Sequence, residues 1–180
     1  MRGRGTYYGL AMSSGEGVVA DAAVRAAWDS YRVLDDSTTP EERRRARRRI
    51  EAAVAAYGRD EVYRGAAFLV GVLTAVLAED AEDRDPLGGL VPAVLGRLRA
   101  FDTLDVAHVP MVAGALTAAV LGQDVVAWRD RLGPIPPQEA AALGFTLWLL
   151  ADLHDLAVDR PGATDALVRR AFESLEYENA

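Results

Sequence analysis

Hydrophobic positions recur at spacings of three and four along most of the chain, and no stretch alternates apolar and polar side chains as a half-buried strand would. Ala20, Val24, Ala27, Trp28, Tyr31 and Leu34 form one apolar stripe and predict a first helix over roughly 18–35, ended by DDSTTP. The second helix has the strongest start signal: Thr39 as N-cap, Pro40 at the first helical position and Glu42 three residues after the cap. Gly58 ends it, in the place a left-handed C-terminal residue occupies. A third helix follows over about 61–80. It is uncharged from 65 to 78, which predicts burial around its circumference.

The fourth helix, about 90–101, aligns Val91, Val94, Leu95, Leu98 and Phe101. The fifth, about 104–122, is apolar on most sides, with Pro110 near its start or at a kink. A short amphipathic sixth piece spans 124–132 and is closed by GPIPP. Pro137 and Glu139 open a seventh helix to about 158, and the last, about 163–177, buries Leu167, Val168, Ala171, Phe172 and Leu175.

Seven or eight helices joined by short breaks, with the third, fifth and seventh wrapped by the rest, predict an all-α compact bundle. The expected organisation is one helical domain over 18–180 behind a glycine-rich flexible tail at 1–17. GVLTAVLAED at 71–80 and GALTAAVLGQD at 114–124 are alike, and GFTLWLLADL at 144–153 is a looser echo. Their separation suits helical hairpins, so a hairpin-built bundle is a variant of the same fold.

Composition narrows the picture. The 180 residues suffice for one domain with a buried core, and a hydrophobic share of 51% excludes disorder. Aromatics are few, so alanine, leucine and valine must do most of the packing. The chain has no cysteine, which removes disulfides, thiolate metal sites and cysteine nucleophiles. All 20 basic residues are arginine. That reads as the codon bias of a GC-rich genome, because nothing physical bars lysine from every surface site. The N-terminal stretch lacks the apolar core of a signal peptide. Only the uncharged run 106–122 approaches the ~18 residues of a bilayer span, and it contains His108 and Pro110. A soluble cytoplasmic protein away from membranes is the expectation.

Charge raises the sharpest question. PEERRRARRRI at 40–50 carries Arg43, Arg44, Arg45, Arg47, Arg48 and Arg49 in a chain of net charge −7. On a helical wheel Ala46, Ile50, Ala53 and Tyr57 form a narrow buried stripe, with Val54 at its margin. The six arginines cover the remaining circumference. Glu41 lies four before Arg45, and Glu51 lies four after Arg47 and three after Arg48, spacings that allow ion pairs. Residues 41–57 hold six arginines and three glutamates, net +3, which leaves −10 on the rest. That field opposes phosphate binding, and Tyr57 on the buried stripe leaves no aromatic for stacking. The arginines are therefore expected to meet carboxylates of this chain, a second copy or a protein partner, not nucleic acid.

Catalytic constellations are sparse. The chain has no Gly-x-Ser-x-Gly elbow, phosphate loop or dinucleotide fingerprint. His108 heads an apolar helix in DVAHVPMVAGALTAA at 105–119, and His154–Asp155 end the leucine-rich LWLLADLHDLAVD at 147–159. This pattern resembles that of HD-domain metal-dependent phosphohydrolases. The resemblance implies His108, His154 and Asp155 as ligands of a divalent cation that activates water, with Asp159 or Asp165 as the last aspartate. It departs from that family in the long gap between the histidine and the pair, and in how little chain follows Asp155.

Asp105 and His108 have the spacing used in di-iron bundles, but a second such motif is missing. Glu79, Asp80, Glu82, Asp83 and Asp85 lack the alternation and glycine of a calcium loop and read as a solvated turn. Asp152, Asp155 and Asp159 share the wet face of the seventh helix. Trp28 and Trp148 fall on apolar faces and read as core. Trp128, flanked by Arg129, Asp130 and Arg131, reads as an interface aromatic.

The function expected from these features is non-enzymatic: a cytosolic helical protein, regulatory, adaptor or self-associating, acting through protein–protein contact without a cofactor. Its contact residues would be the six arginines with Trp128, Arg129 and Arg131. The alternatives are an apolar ligand among the third, fifth and seventh helices, an HD-like phosphohydrolase, or anion and nucleic-acid binding through the arginines.

Overall fold

Helix boundaries follow the start and stop signals in the chain. The structure is a computed structural model describing residues 19–34, 38–80, 85–102 and 104–178. The expected tail at 1–17 and most of the acidic turn at 79–85 lie outside the described residues. The described residues form eight α-helices: α1 Asp21–Leu34, α2 Pro40–Tyr57, α3 Arg59–Asp80, α4 Leu90–Leu98, α5 Val109–Val120, α6 Val125–Asp130, α7 Pro137–Ala157 and α8 Ala163–Glu178. Among the described residues there is no strand.

Local chemistry sets the boundaries. At α2 the Glu42 amide donates to Thr39 Oγ1 at 3.3 Å, and the Thr39 amide donates back to Glu42 Oε2 at 2.9 Å, closing the capping box. The Thr39 hydroxyl, also donating to Glu42 Oε2, holds that carboxyl below its ordinary pKa, with the Thr39 amide adding to the effect. Gly58 adopts φ 86° with ψ 164°, a positive-φ extended residue and not the left-handed helical one predicted. It reverses the chain in a single residue, so α3 begins at Arg59, earlier than expected. Pro110 sits in the first turn of α5 behind a 3-10 turn, Val106–His108, and therefore produces no kink.

α1 and α2 run antiparallel, tied by Arg49 to Asp29 and by Arg32 to Glu42. α3 runs alongside α1 in the same direction, with the Ala20 amide bonded to Glu61 and Gly65 lying on Ala23. α3 packs against α1, α2, α5, α6 and α7, while α7 reaches α1, α3, α4, α5 and α8. In a hairpin solenoid each unit touches only its neighbours. Here α3 and α7 are in direct contact across three intervening helices, so the architecture is a bundle. Leu73, Leu98, Leu116, Leu143, Leu147 and Leu150 are fully buried at its centre. Each contributes roughly 1.5–3 kcal/mol by leaving water.

The two similar stretches have a shared structural use. A side chain at Gly71 would meet Val125, and one at Gly114 would meet the Trp128 ring. Both glycines are thus sockets into which α6 settles between α3 and α5. α3 and α7 are also long and apolar enough, by length and composition, to cross a membrane, which the run-length reading missed. Their windows are 50% and 44% buried within the bundle.

Candidate interaction face

α2 turns Ala46 and Ala53 into the core and leaves most of its arginines outside. The structure divides the six. Arg49 donates to buried Asp29 through Nε and a terminal nitrogen, both at 2.6 Å. These bonds to Asp29 raise the guanidinium pKa above its ordinary value. Arg45 pairs with Glu41, as its spacing predicted, and Arg43 is half-buried. Arg44, Arg47 and Arg48 are exposed and have no ion pair among the described residues. The expected pairs from Arg47 and Arg48 to Glu51 do not form, and Glu51 is itself exposed. The unpaired arginines of α2 therefore share one side of the helix, while Arg45 and Arg49 stay exposed but paired on another.

Tyr57 corrects a second expectation. It is 53% exposed, because the last turn of α2 runs past the helices that cover Ala46 and Ala53. It sits about 140° around the helix from Arg44, too far to supply a stacking platform beside the arginines. Ala52 and Ala55 continue the exposed face beyond Glu51.

The second predicted contact set behaves differently. Arg129 is buried, and its Nε donates to Glu139, also buried. Its other nitrogens donate to the Gly133 carbonyl at 2.7 Å and the Pro134 carbonyl at 3.3 Å. It is an internal clamp on the loop between α6 and α7 and is unavailable to a partner. Trp128 is half-buried over Gly114. Arg131 alone of this group stands exposed, next to Leu132. The sequence reading missed this because the sockets and the Glu139 carboxylate come from other elements.

His108, His154 and Asp155 do not form a metal centre. Among the described residues no group of three or more His, Asp or Glu side chains is placed to hold an ion. His154 and Asp155 instead fasten α7 to the start of α8. Asp155 accepts from the Gly162 amide at 2.5 Å, the Thr164 amide at 2.7 Å and the Thr164 hydroxyl at 2.6 Å. That hydroxyl has one proton for two acceptors, Asp155 and the Ala151 carbonyl at 3.0 Å. His154 Nδ1, at 2.9 Å from the same oxygen, must therefore be the donor to it. His108 lies at the start of α5, half-buried and with no capping bond from its side chain.

Of the aspartates offered as a last ligand, Asp165 is engaged elsewhere and Asp159 lies exposed outside α7. Asp165 accepts from Trp28 Nε1 at 3.0 Å and pairs with Arg32 and Arg169, while Asp159 adopts φ 49° beyond the end of α7. Asp152 pairs with Arg97 at 3.5 Å and α7 ends at Ala157, so the three aspartates expected on one face of the seventh helix have separate settings, with Asp159 outside the helix. The residues on which the phosphohydrolase resemblance rested do not fit a divalent cation.

The described residues also form a groove of about 310 Å³. It is bounded by α1, α3 and α7, where the expected ligand site involved α5 in place of α1. Ala27, Tyr31, Tyr63, Ala66, Gly144 and Phe145 are among its lining residues, and no charged side chain lines it. A Cβ at Gly144 would meet nothing within 4 Å.

No family model, curated protein or solved structure matches the chain. Fold and geometry alone define it, as an all-α bundle with a basic helix on its surface.

Proposed function

We propose that this is a non-enzymatic cytosolic protein acting through protein–protein contact, with the exposed face of α2 as its contact surface. The observation that carries this reading is the trio Arg44, Arg47 and Arg48, exposed on one side of a helix in an acidic chain with no carboxylate partner among the described residues. Unpaired guanidiniums at i, i+3 and i+4 present multiple donors to carboxylates and speed encounter with acidic surfaces.

Selection of random displayed peptides on the immobilised full chain tests this. Enriched sequences should be rich in Asp and Glu. Their affinity should fall about tenfold or more in the triple variant R44E/R47E/R48E, and also between 50 and ~200 mM salt. No acidic enrichment, or equal binding by the triple variant, would sink the reading.

A second reading is favoured by the groove: its uncharged lining suits a neutral apolar ligand, since an ion there would lose hydration without a counter-charge. The neutral fluorophore N-phenyl-1-naphthylamine should brighten on binding, and Gly144→Leu should abolish that by filling the groove. Brightening unchanged by Gly144→Leu, or absent from the native chain, removes this reading.

A further inference from the structure

The exposed ridge of α2 carries more information than its net charge. At 100° per residue, Arg44, Arg48, Glu51 and Ala55 lie within about 60° of one another, flanked by Arg47 and Ala52. Their spacing is four, three, four, which is the spacing of a coiled-coil seam and holds a straight line along the helix. Along that line the chemistry runs guanidinium, guanidinium, carboxylate, methyl, over about 16 Å. All six residues are exposed.

That order is self-complementary when reversed. If a second α2 is laid antiparallel with its two-fold axis between residues 49 and 50, Arg48 falls opposite Glu51 of the other copy, and Glu51 opposite Arg48. Arg44 falls opposite Ala55, and Arg47 lies level with Ala52 but on the other edge of the seam. Each glutamate then sits between two guanidiniums, Arg47 and Arg48. Arg44 lies over Ala55, whose small side chain leaves room for the arginine stem to pack while the charged head reaches water. No pair of like charges is directly opposed. The intramolecular pairs expected from Arg47 and Arg48 to Glu51 do not form, so all three groups are available.

A uniform polyanion fits this ridge less well. A phosphate ladder or an anionic bilayer that engaged Arg44 and Arg48 would bring a further negative charge against Glu51. The alternating order suits a partner whose charge alternates in the same register, and α2 itself is such a partner.

We infer that α2 pairs with α2 of a second copy of this chain, antiparallel about a two-fold axis, through reciprocal Arg48–Glu51 contacts. The inference rests on the reading of α2 as the contact surface and names its partner. A two-fold contact of this kind closes on itself and makes a dimer, not a filament. One helix pair over that length buries less than the ~1,000 Å² of a stable interface, so the dimer is weak and salt-sensitive.

The test is a charge swap read by sedimentation or light scattering over a range of protein concentrations at low salt. The native chain should show a reversible monomer–dimer equilibrium that shifts to monomer at ~500 mM salt. R48E places Glu opposite Glu, and E51R places Arg opposite Arg. Each should weaken self-association roughly tenfold, since attraction becomes repulsion at both symmetric contacts. The double variant R48E/E51R should recover most of the self-association the single variants lose, short of the native level because the guanidinium introduced by E51R lies beside Arg47 of the other copy. An equimolar mixture of the two single variants should form a heterodimer that neither forms alone.

These substitutions are on exposed positions, so circular dichroism of each variant should match the native chain. A native chain that stays monomeric at every concentration, a double variant no better than the singles, or a mixture that fails to associate overturns the inference. If acidic peptides are still selected and lost in the triple arginine variant, the contact surface stands and only its partner was misassigned. Duplex DNA that binds the native chain and competes with its self-association would likewise overturn the self-pairing.

Discussion

Glu139→Ala is expected to lower the unfolding free energy by about 3–5 kcal/mol, the cost of leaving a buried charge without its partner. Arg129 is 3% exposed and uses its guanidinium on Glu139 and on the Gly133 and Pro134 carbonyls. Removing the carboxylate leaves a buried full charge facing only two carbonyl dipoles. Domains of this size are stable by about 5–15 kcal/mol, so the loss is a large share. A urea melt followed by circular dichroism reads it as a lower midpoint. The double substitution Arg129→Met with Glu139→Leu should be markedly less damaging than the single one, because it removes both charges and keeps the volume. A Glu139→Ala change that costs under 1 kcal/mol would mean that Arg129 finds water or another acceptor.

That clamp shows what the sequence conveyed and what it withheld. Each helix is legible because apolar periodicity, a cap or a proline is a local signal: Thr39, Pro40, Glu42 and Gly58 bracket α2 within a residue of where it forms. Pairing between helices is not local. Asp29 is twenty residues from Arg49, so nothing in PEERRRARRRI distinguishes Arg49, held by a distant carboxylate, from Arg44, Arg47 and Arg48, which are not. Arg129 lies in a stretch that looks amphipathic and surface-like, and only the return of α7 covers it. His154 and Asp155 resembled metal ligands because a buried histidine beside an aspartate also suits a turn that must be fastened, and Thr164 decides between the two uses. Tyr57 followed the apolar stripe by angle, but a helical wheel has no ends, and the covering helices do.

Gly65→Val should destabilise the bundle by about 3 kcal/mol, and even Gly65→Ala should be destabilising, against the general rule for helices. In a helix interior, alanine is ordinarily favoured over glycine by roughly 0.5–1 kcal/mol, because glycine loses more backbone freedom on folding. At Gly65 the added carbon would lie 2.8 Å from the Ala23 carbonyl oxygen and 3.0 Å from the Ala23 carbonyl carbon and the Val24 Cα. These are backbone atoms of α1, which cannot rotate aside as a side-chain tip can. α1 must therefore move off α3, and Val24, Ala27 and Trp28 move with it, opening the core these buried residues fill. Gly96 in α4 is the internal control: it is exposed and a Cβ there meets nothing within 4 Å. Gly96→Ala should stabilise by the ordinary amount while Gly65→Ala destabilises, with both read from urea midpoints at unchanged slope. Equal signs for the two would mean that α1 and α3 do not meet through Gly65. The close approach of these two helices, which positions Asp29 to hold Arg49, would then have to come from elsewhere in the core.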